Sequence, residues 1–383
     1  MFDDFVRFVR ELYSTSDFIP LHRPYFIGNE KQYLLDTIDS TYVSSVGAYV
    51  DEFEQKIADF TGAKYAIATV NGTAALHVAL KLAGVEAGDE VITQSLTFIA
   101  TCNAIRYCGA KPVFVDVDRA SLGLSPESLG NFLDENAELR DDGLCWNKKS
   151  GRIIRACVPM HTFGFPARLT ELNNICARYN INLVEDAAES LGSLYKGHHT
   201  GKIGLVSALS FNGNKIITTG GGGMILTDDE AIANHARHIT TTAKLSHPWF
   251  YEHDETAFNY RLPNLNAALG VAQIESLPDF IDNKRQVAVQ YQEWGEGHGV
   301  DFTKEPPGAR ANYWLNVLIT KDKGQRDAML EFTNANGVMT RPAWTPMHKL
   351  IMNRECVKSE LTNTEWLFER LVNVPSSVVL NAG

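Results

Sequence analysis

The chain has no run of about twenty apolar residues, so no membrane-crossing helix is expected. It has no basic block either: 35 lysines and arginines stand against 46 acids, for a net charge of -11. Binding to nucleic acid or to an anionic membrane is therefore not expected, and an anionic ligand would have to be held by a local site. The six cysteines, Cys102, Cys108, Cys145, Cys157, Cys176 and Cys356, show no CxxC spacing. Four of them fall in segments that read as helix or strand, which fits reduced thiols better than a disulfide frame or a metal site. No internal repeat or low-complexity tract appears. The first residues carry Asp3, Asp4 and Glu11 and no continuous apolar region, which argues against a secretory signal and makes the cytoplasm the expected compartment.

What is present is enough apolar sequence, 44% of 383 residues, to bury a large core, and a subdivision into a larger and a smaller unit is expected. Residues 2–13 place Phe5, Phe8, Val9 and Leu12 on one helical face, suited to packing on the body or on a partner subunit. Helical spacing recurs over 30–38 and 49–60, with a largely polar connection over 39–47. Alternation then begins: strands over 65–70, 90–93, 112–117, 153–159 and 182–185, with helices over 73–82, 98–108 and 169–177. Repeated strand–helix–strand units imply a parallel sheet covered on both faces. The polar stretch 125–149 holds one helix, over 126–133, and reads as an exposed excursion. Further on come strands at 206–209 and 224–226, a helix over 229–238 and a loop over 240–255. A helical stretch from 264 to about 291 is kinked or broken near Pro278. A strand over 313–319 and helices over 325–336 and 366–372 complete the chain. The expected fold is α/β: a large domain over 1–262 with a mixed, mostly parallel sheet sandwiched by helices, and a smaller α+β domain over 263–383.

Three places offer polar groups beside strands, and ligands of α/β sheets bind beyond the strands' carboxyl ends. In Asn71-Gly72-Thr73-Ala74-Ala75-Leu76, Gly72 permits close backbone approach, Thr73 brings a hydroxyl, and the helix start offers free N–H groups and a positive dipole end. Alone, the same pattern is more often a simple cap. In Val184-Glu185-Asp186-Ala187-Ala188-Glu189, Asp186 is either a cap or a buried acid that holds a positive ring nitrogen. In Ser210-Phe211-Asn212-Gly213-Asn214-Lys215, one lysine stands between an apolar run and the glycines Gly220, Gly221, Gly222 and Gly223. Desolvation favours a neutral amine, which condenses with carbonyls, although a surface turn lysine is the commoner case. Phosphate cradle, ring-nitrogen acid and boxed-in lysine in one α/β frame together describe a site for pyridoxal 5'-phosphate.

These residues, with Gly88-Asp89-Glu90-Val91, Thr97-Phe98-Ile99-Ala100 and Phe258-Asn259-Tyr260-Arg261, resemble in order the DegT/StrS sugar aminotransferase family. That family is the nucleotide-sugar branch of the fold-type I pyridoxal-phosphate enzymes. The resemblance implies that Lys215 forms the Schiff base, that Asp186 faces the pyridine nitrogen and that Phe98 stacks on the ring. It implies that Gly72, Thr73 and Ser210 bind the phosphate, and that Asn259 reaches the phosphate of a neighbouring subunit in a homodimer with shared sites. Glu189 departs from the pattern: many members have Gln there, in contact with the ring hydroxyl. A nucleotide sugar and glutamate are the implied substrates. The phrases at 39–47, 211–215 and 340–344 look most like the subgroup that aminates C4 of UDP-4-keto-6-deoxy-N-acetylglucosamine, on routes to bacillosamine or legionaminic acid. For the sugar-nucleotide side the candidates are His161, Tyr313, Arg341, Trp344 and His348, each with an equally good structural role.

Overall fold

Residues 1–379 are described by a computed structural model of the chain. Seven short apolar segments form the principal sheet: β1 (Tyr65–Thr69), β2 (Glu90–Gln94), β3 (Lys111–Val115), β4 (Ile154–Val158), β5 (Asn182–Asp186), β6 (Val206–Ser210) and β7 (Gly223–Thr227). Their order is β1-β7-β6-β5-β4-β2-β3. β7 runs antiparallel to both neighbours and every other pairing is parallel except those two. Helices cover both faces, so β2 and β7 are buried at every position; β7 carries the apolar run Met224-Ile225-Leu226, whereas β2 buries Glu90, Thr93 and Gln94 along with Val91 and Ile92. The mixed, mostly parallel sheet read from the sequence is the sheet the chain forms.

The helix Gly72–Leu82 buries Ala75, Leu76, Val78, Ala79 and Leu80 against Val184, Val206, Ala208 and Ile225 of β5, β6 and β7. Its start therefore sits over the carboxyl end of β6. Gly223 makes this possible, because a Cβ there would lie 2.5 Å from the backbone carbon of Asn71.

A second, antiparallel sheet has the order Asp301–Phe302, Asn316–Ile319, Leu371–Val374, Arg341–Pro342. The first helix, Phe2–Leu12, buries Phe5, Val6, Val9 and Leu12 with Tyr291, Leu318, Met329, Val372 and Val374. It thus packs on the body, and with the second sheet rather than with the large sheet that follows it in the chain. The two sheets also share one core, in which Phe211 and Ile217 lie with Trp314, Val317 and Leu371. The expected break near Pro278 is present: helices Asn264–Glu275 and Leu277–His298 meet at Ser276, with the proline in the second helix's first turn, where its missing N–H costs nothing.

Other segments differ from the sequence reading. The strand expected over 313–319 starts only at Asn316, because Tyr313 has φ 49 and cannot continue a strand. The helix expected over 366–372 is the end of helix Thr362–Phe368 followed by strand Leu371–Val374; Leu367, Leu371 and Val372 fit either period. The stretch 125–149 holds a longer helix, Pro126–Asn136, and a hairpin of Ala137–Leu139 with Cys145–Asn147. Among the described residues no helix is long and apolar enough to cross a membrane, and the cysteines are unpaired.

Candidate active site

At the carboxyl ends of β5 and β6 lies a cavity of about 320 Å³, the size of a small-molecule site. Asn71, Gly72 and Thr73 form one side of it, together with Ser210. The Asn71 side chain caps the helix by accepting from the Ala74 N–H at 2.8 Å. That leaves the earlier N–H groups of the first turn free, at the positive end of the helix dipole. A Cβ on Gly72 would stand 2.7 Å from Ser210 Cβ and 3.0 Å from its Oγ, so only glycine lets the serine hydroxyl lie this close to the helix start. Together they make an anion cradle with no lysine in it.

Asp186 ends β5 at the floor of the cavity and is 4% exposed. Its Oδ2 accepts from the Thr101 hydroxyl at 2.7 Å, and its Oδ1 from the Ala188 N–H at 3.2 Å. Thr101 is in turn 2.9 Å from the Thr97 hydroxyl. Burial raises the Asp186 carboxyl above its ordinary value, while the Thr101 and Ala188 hydrogen bonds and the charge of Lys215 oppose the rise. A buried acid of this kind favours a cationic partner, which a protonated ring nitrogen would supply.

Lys215 enters from the loop after β6. Its Nζ lies 3.2 Å from Glu189 Oε1 and 4.1 Å from the centre of the Trp314 ring. Glu189 accepts with its other oxygen from the Phe163 N–H at 2.8 Å. Burial, reinforced by the nearby Asp186, pushes the Glu189 carboxyl up to about 7, against the pull of Lys215 and the Phe163 N–H. The position where the family resemblance implies an amide is therefore a carboxyl in contact with the lysine. Phe98 caps the helix Ile99–Tyr107 and stands 46% exposed at the cavity mouth, its ring 6.0 Å from that of Trp344.

Lys215, Asp186, Glu189, Gly72, Thr73, Phe98 and Ser210 thus line one cavity, and so does Trp344. The other four side chains read as substrate candidates do not line it, because each is engaged elsewhere. His161 is fully buried; its Nδ1 accepts from the Ala167 N–H at 3.1 Å, which leaves Nε2 to donate to Glu185 at 3.0 Å. Tyr313 packs edge-on against Phe165 and accepts from Gln292. Arg341 lies on an exposed edge strand and donates to Asn334 and to the Thr340 carbonyl. His348 bridges Ser95 Oγ at 2.7 Å and Glu365 at 3.0 Å. Asn259 is exposed in a bridge with Thr241, outside the cavity of its own chain. Residues not singled out from the sequence also take part: Thr101 on Asp186, and Met160, Asn212, Asn214 and Trp314 on the cavity wall. Thr101 follows directly on the Thr97–Ala100 phrase, and Trp314 is the neighbour of Tyr313, so both lay one residue from positions that were read.

The residues fit pyridoxal 5'-phosphate: a glycine cradle that a Cβ would fill, a buried acid beyond it and a lysine between them. The sequence profile of the DegT/DnrJ/EryC1/StrS aminotransferase family matches residues 25–383. The chain is 34% identical over 359 residues to a GDP-perosamine synthase of Escherichia coli O157:H7, covering 94% of this chain and 93% of that protein. It is 35% identical over 361 residues to a GDP-perosamine synthase of Vibrio cholerae, covering 94% of each. The aminotransferase TlmJ of Streptoalloteichus hindustanus superimposes with a TM-score of 0.85 at 26% identity, over 95% of this chain and 94% of that one. These relatives bear out the family and not the UDP-sugar subgroup expected from the sequence, since the sugar named in both synthases is GDP-linked. The chain belongs to the DegT/DnrJ/EryC1/StrS aminotransferase family and is a pyridoxal-phosphate-dependent sugar aminotransferase.

Proposed function

We propose that the enzyme moves an amino group from glutamate to the keto carbon of a nucleotide-linked sugar, and that the sugar is GDP-linked. The convergence of Lys215, Asp186 and the Gly72–Ser210 cradle on one cavity supports the transamination. The GDP reading rests on the two synthases. UDP-4-keto-6-deoxy-N-acetylglucosamine is the second reading, favoured by the phrases at 39–47, 211–215 and 340–344.

Pyridoxal 5'-phosphate, when bound, supplies an electron sink for the carbanion left when an amine's α-carbon loses its proton. Lys215 would hold the cofactor covalently and, once released, carry that proton on its Nζ. Asp186 would keep a proton on the ring nitrogen, and Thr101 fixes its Oδ2. The helix start at Gly72 and Thr73, with the Ser210 hydroxyl, would hold the phosphate by hydrogen bonds at the positive end of the helix dipole. Glu189 sits where it can take or return a proton at Lys215 Nζ. Phe98 and Trp344 offer aromatic faces at the mouth, suited to stacking and to excluding water.

We also infer a homodimer in which Asn259 serves the neighbouring subunit's phosphate. Leu35, Ile38, Tyr42, Val43 and Val46 are each exposed within the short segment before the helix Ala48–Thr61, apolar side chains of the kind that subunits cover. A cofactor-bearing unit over 1–262, less the first helix, which packs with the second sheet, a smaller unit over 263–383 and a cytoplasmic location complete the proposal. The test is an amination assay with glutamate against a panel of GDP-, UDP- and dTDP-linked keto sugars, read by product mass. Turnover of the GDP-linked member is expected; turnover of the UDP-linked member alone replaces the first reading with the second. Amination that survives Lys215→Ala would overturn the mechanism.

A further inference from the structure

Lys284 lies within the helix Leu277–His298 and is 1% exposed. Its Nζ donates to the carbonyl of Trp314 at 3.1 Å and to the carbonyl of Ser376. Burial pulls its amine down to about 7, and no acidic side chain offsets the loss of water. A methionine would fill similar space without desolvating an amine but would leave the Trp314 and Ser376 carbonyls without this donor, so packing alone does not account for a lysine here.

Its hydrogen-bond partner accounts for it better. Trp314 is tethered by each of its polar groups: its N–H donates to Asn312 Oδ1 at 2.8 Å, its indole Nε1 to the Asn214 carbonyl at 2.7 Å, and its carbonyl accepts from Lys284. The residue before it, Tyr313, has φ 49, which a bulky side chain adopts only when the surroundings hold it there. These tethers set the plane of the indole, and Lys215 Nζ lies over that plane at 4.1 Å. The His22 ring centre lies 6.5 Å from that of the indole, and burial, with the charges of Lys284 and Lys215, holds its ring well below its ordinary value. The charged and titratable groups about Trp314 are thus Lys215, Glu189 and Asp186 in the cavity, Lys284 on its carbonyl and His22 near its ring.

We propose that Lys284 is a positioning residue: through the Trp314 carbonyl it sets the indole face against which the Lys215 amine works, without entering the cavity. The inference rests on the reading of Lys215 as the residue that holds the cofactor. Its test uses the full chain loaded with pyridoxal 5'-phosphate and follows the pH dependence of the bound cofactor's absorbance, alongside kcat and KM. Lys284→Met is expected to fold and to retain cofactor. The midpoint of its absorbance change should fall by about half a pH unit, the size of one lost cation–π contact. Its kcat should fall about tenfold or more, with KM for the sugar little changed, as misplaced catalytic groups do. Trp314→Phe should shift the midpoint in the same sense, and the double variant should add nothing to the larger single effect. Lys284→Gln, which can still donate to one carbonyl, should recover part of the loss; it also carries the test if Lys284→Met does not fold. An unchanged midpoint in these variants, or additive effects in the double variant, overturns the inference alone. Absence of the cofactor's absorbance from the native protein overturns the reading of Lys215 and this inference with it.

Discussion

Glu189→Gln is the most informative single substitution, because its effect on stability must depend on pH. The side chain of Glu189 is 1% exposed, so solvent screening does not dilute the argument. Moving a carboxyl from its ordinary 4.5 to about 7 corresponds to about 3 kcal/mol. A raised value means that the folded state binds the proton more tightly than the unfolded chain. The contribution is therefore complete below pH 4.5 and is lost as pH rises through 7. Glutamine has no such proton. The stability of Glu189→Gln relative to the native chain should therefore climb by about 3 kcal/mol between pH 4.5 and 8, whatever its value at the acid end. Groups common to both proteins largely cancel in that difference. The assay is the denaturant midpoint of cofactor-free protein at several pH values, with the infrared band of a protonated carboxylic acid as an independent reading. A flat difference, or one that falls with pH, would refute the reasoning: it would mean that Lys215 keeps Glu189 ionised throughout. The substitution should also disturb the lysine itself. If the amide oxygen keeps the Phe163 N–H, the amide NH₂ faces Lys215 Nζ, donor against donor.

Gly72→Ala would drive a methyl group into Ser210, 2.7 Å from its Cβ, and should weaken retention of cofactor in equilibrium dialysis while leaving the far-ultraviolet spectrum native. Thr101→Val strips the hydroxyl from Asp186 Oδ2, a charge-assisted bond worth about 1.5–3 kcal/mol; kcat should drop about tenfold or more with the cofactor still bound. Asp186→Asn should abolish amination yet leave the covalent attachment at Lys215 measurable by borohydride reduction and mass spectrometry, which separates ring-nitrogen control from cofactor capture. Trp344→Ala opens the mouth between Phe98 and Phe163 and should raise KM for the sugar more than it lowers kcat.

How far the site can be read from sequence follows from which residues are set by local chemistry. Gly72, Asp186 and Lys215 lie at strand ends or in turns whose neighbours are apolar, so their chemistry stands out along the chain. The parallel sheet was legible because short apolar cores such as Val91-Ile92, Leu183-Val184 and Met224-Ile225-Leu226 alternate with helical spacing, even though the buried strands also carry polar residues. His161 and His348 look equally functional in sequence, and only tertiary structure shows which groups engage them. Glu185 takes the Nε2 proton of His161, and Ser95 and Glu365 occupy both nitrogens of His348.

Tyr313 and Trp314 show the limit most directly. Strand alternation offers no reason to prefer one aromatic to its neighbour, and an unbroken strand over 313–319 would send them to opposite faces. The backbone instead turns through φ 49 at Tyr313, so the tyrosine packs on Phe165 and the tryptophan meets Lys215. That turn is held by Asn312, Asn214 and Lys284, which lie before it, about a hundred residues before it and thirty residues before it in the chain. No window of local sequence contains all three. A residue whose conformation depends on such distant tethers can be found by geometry, whereas the lysine it serves can be found by composition.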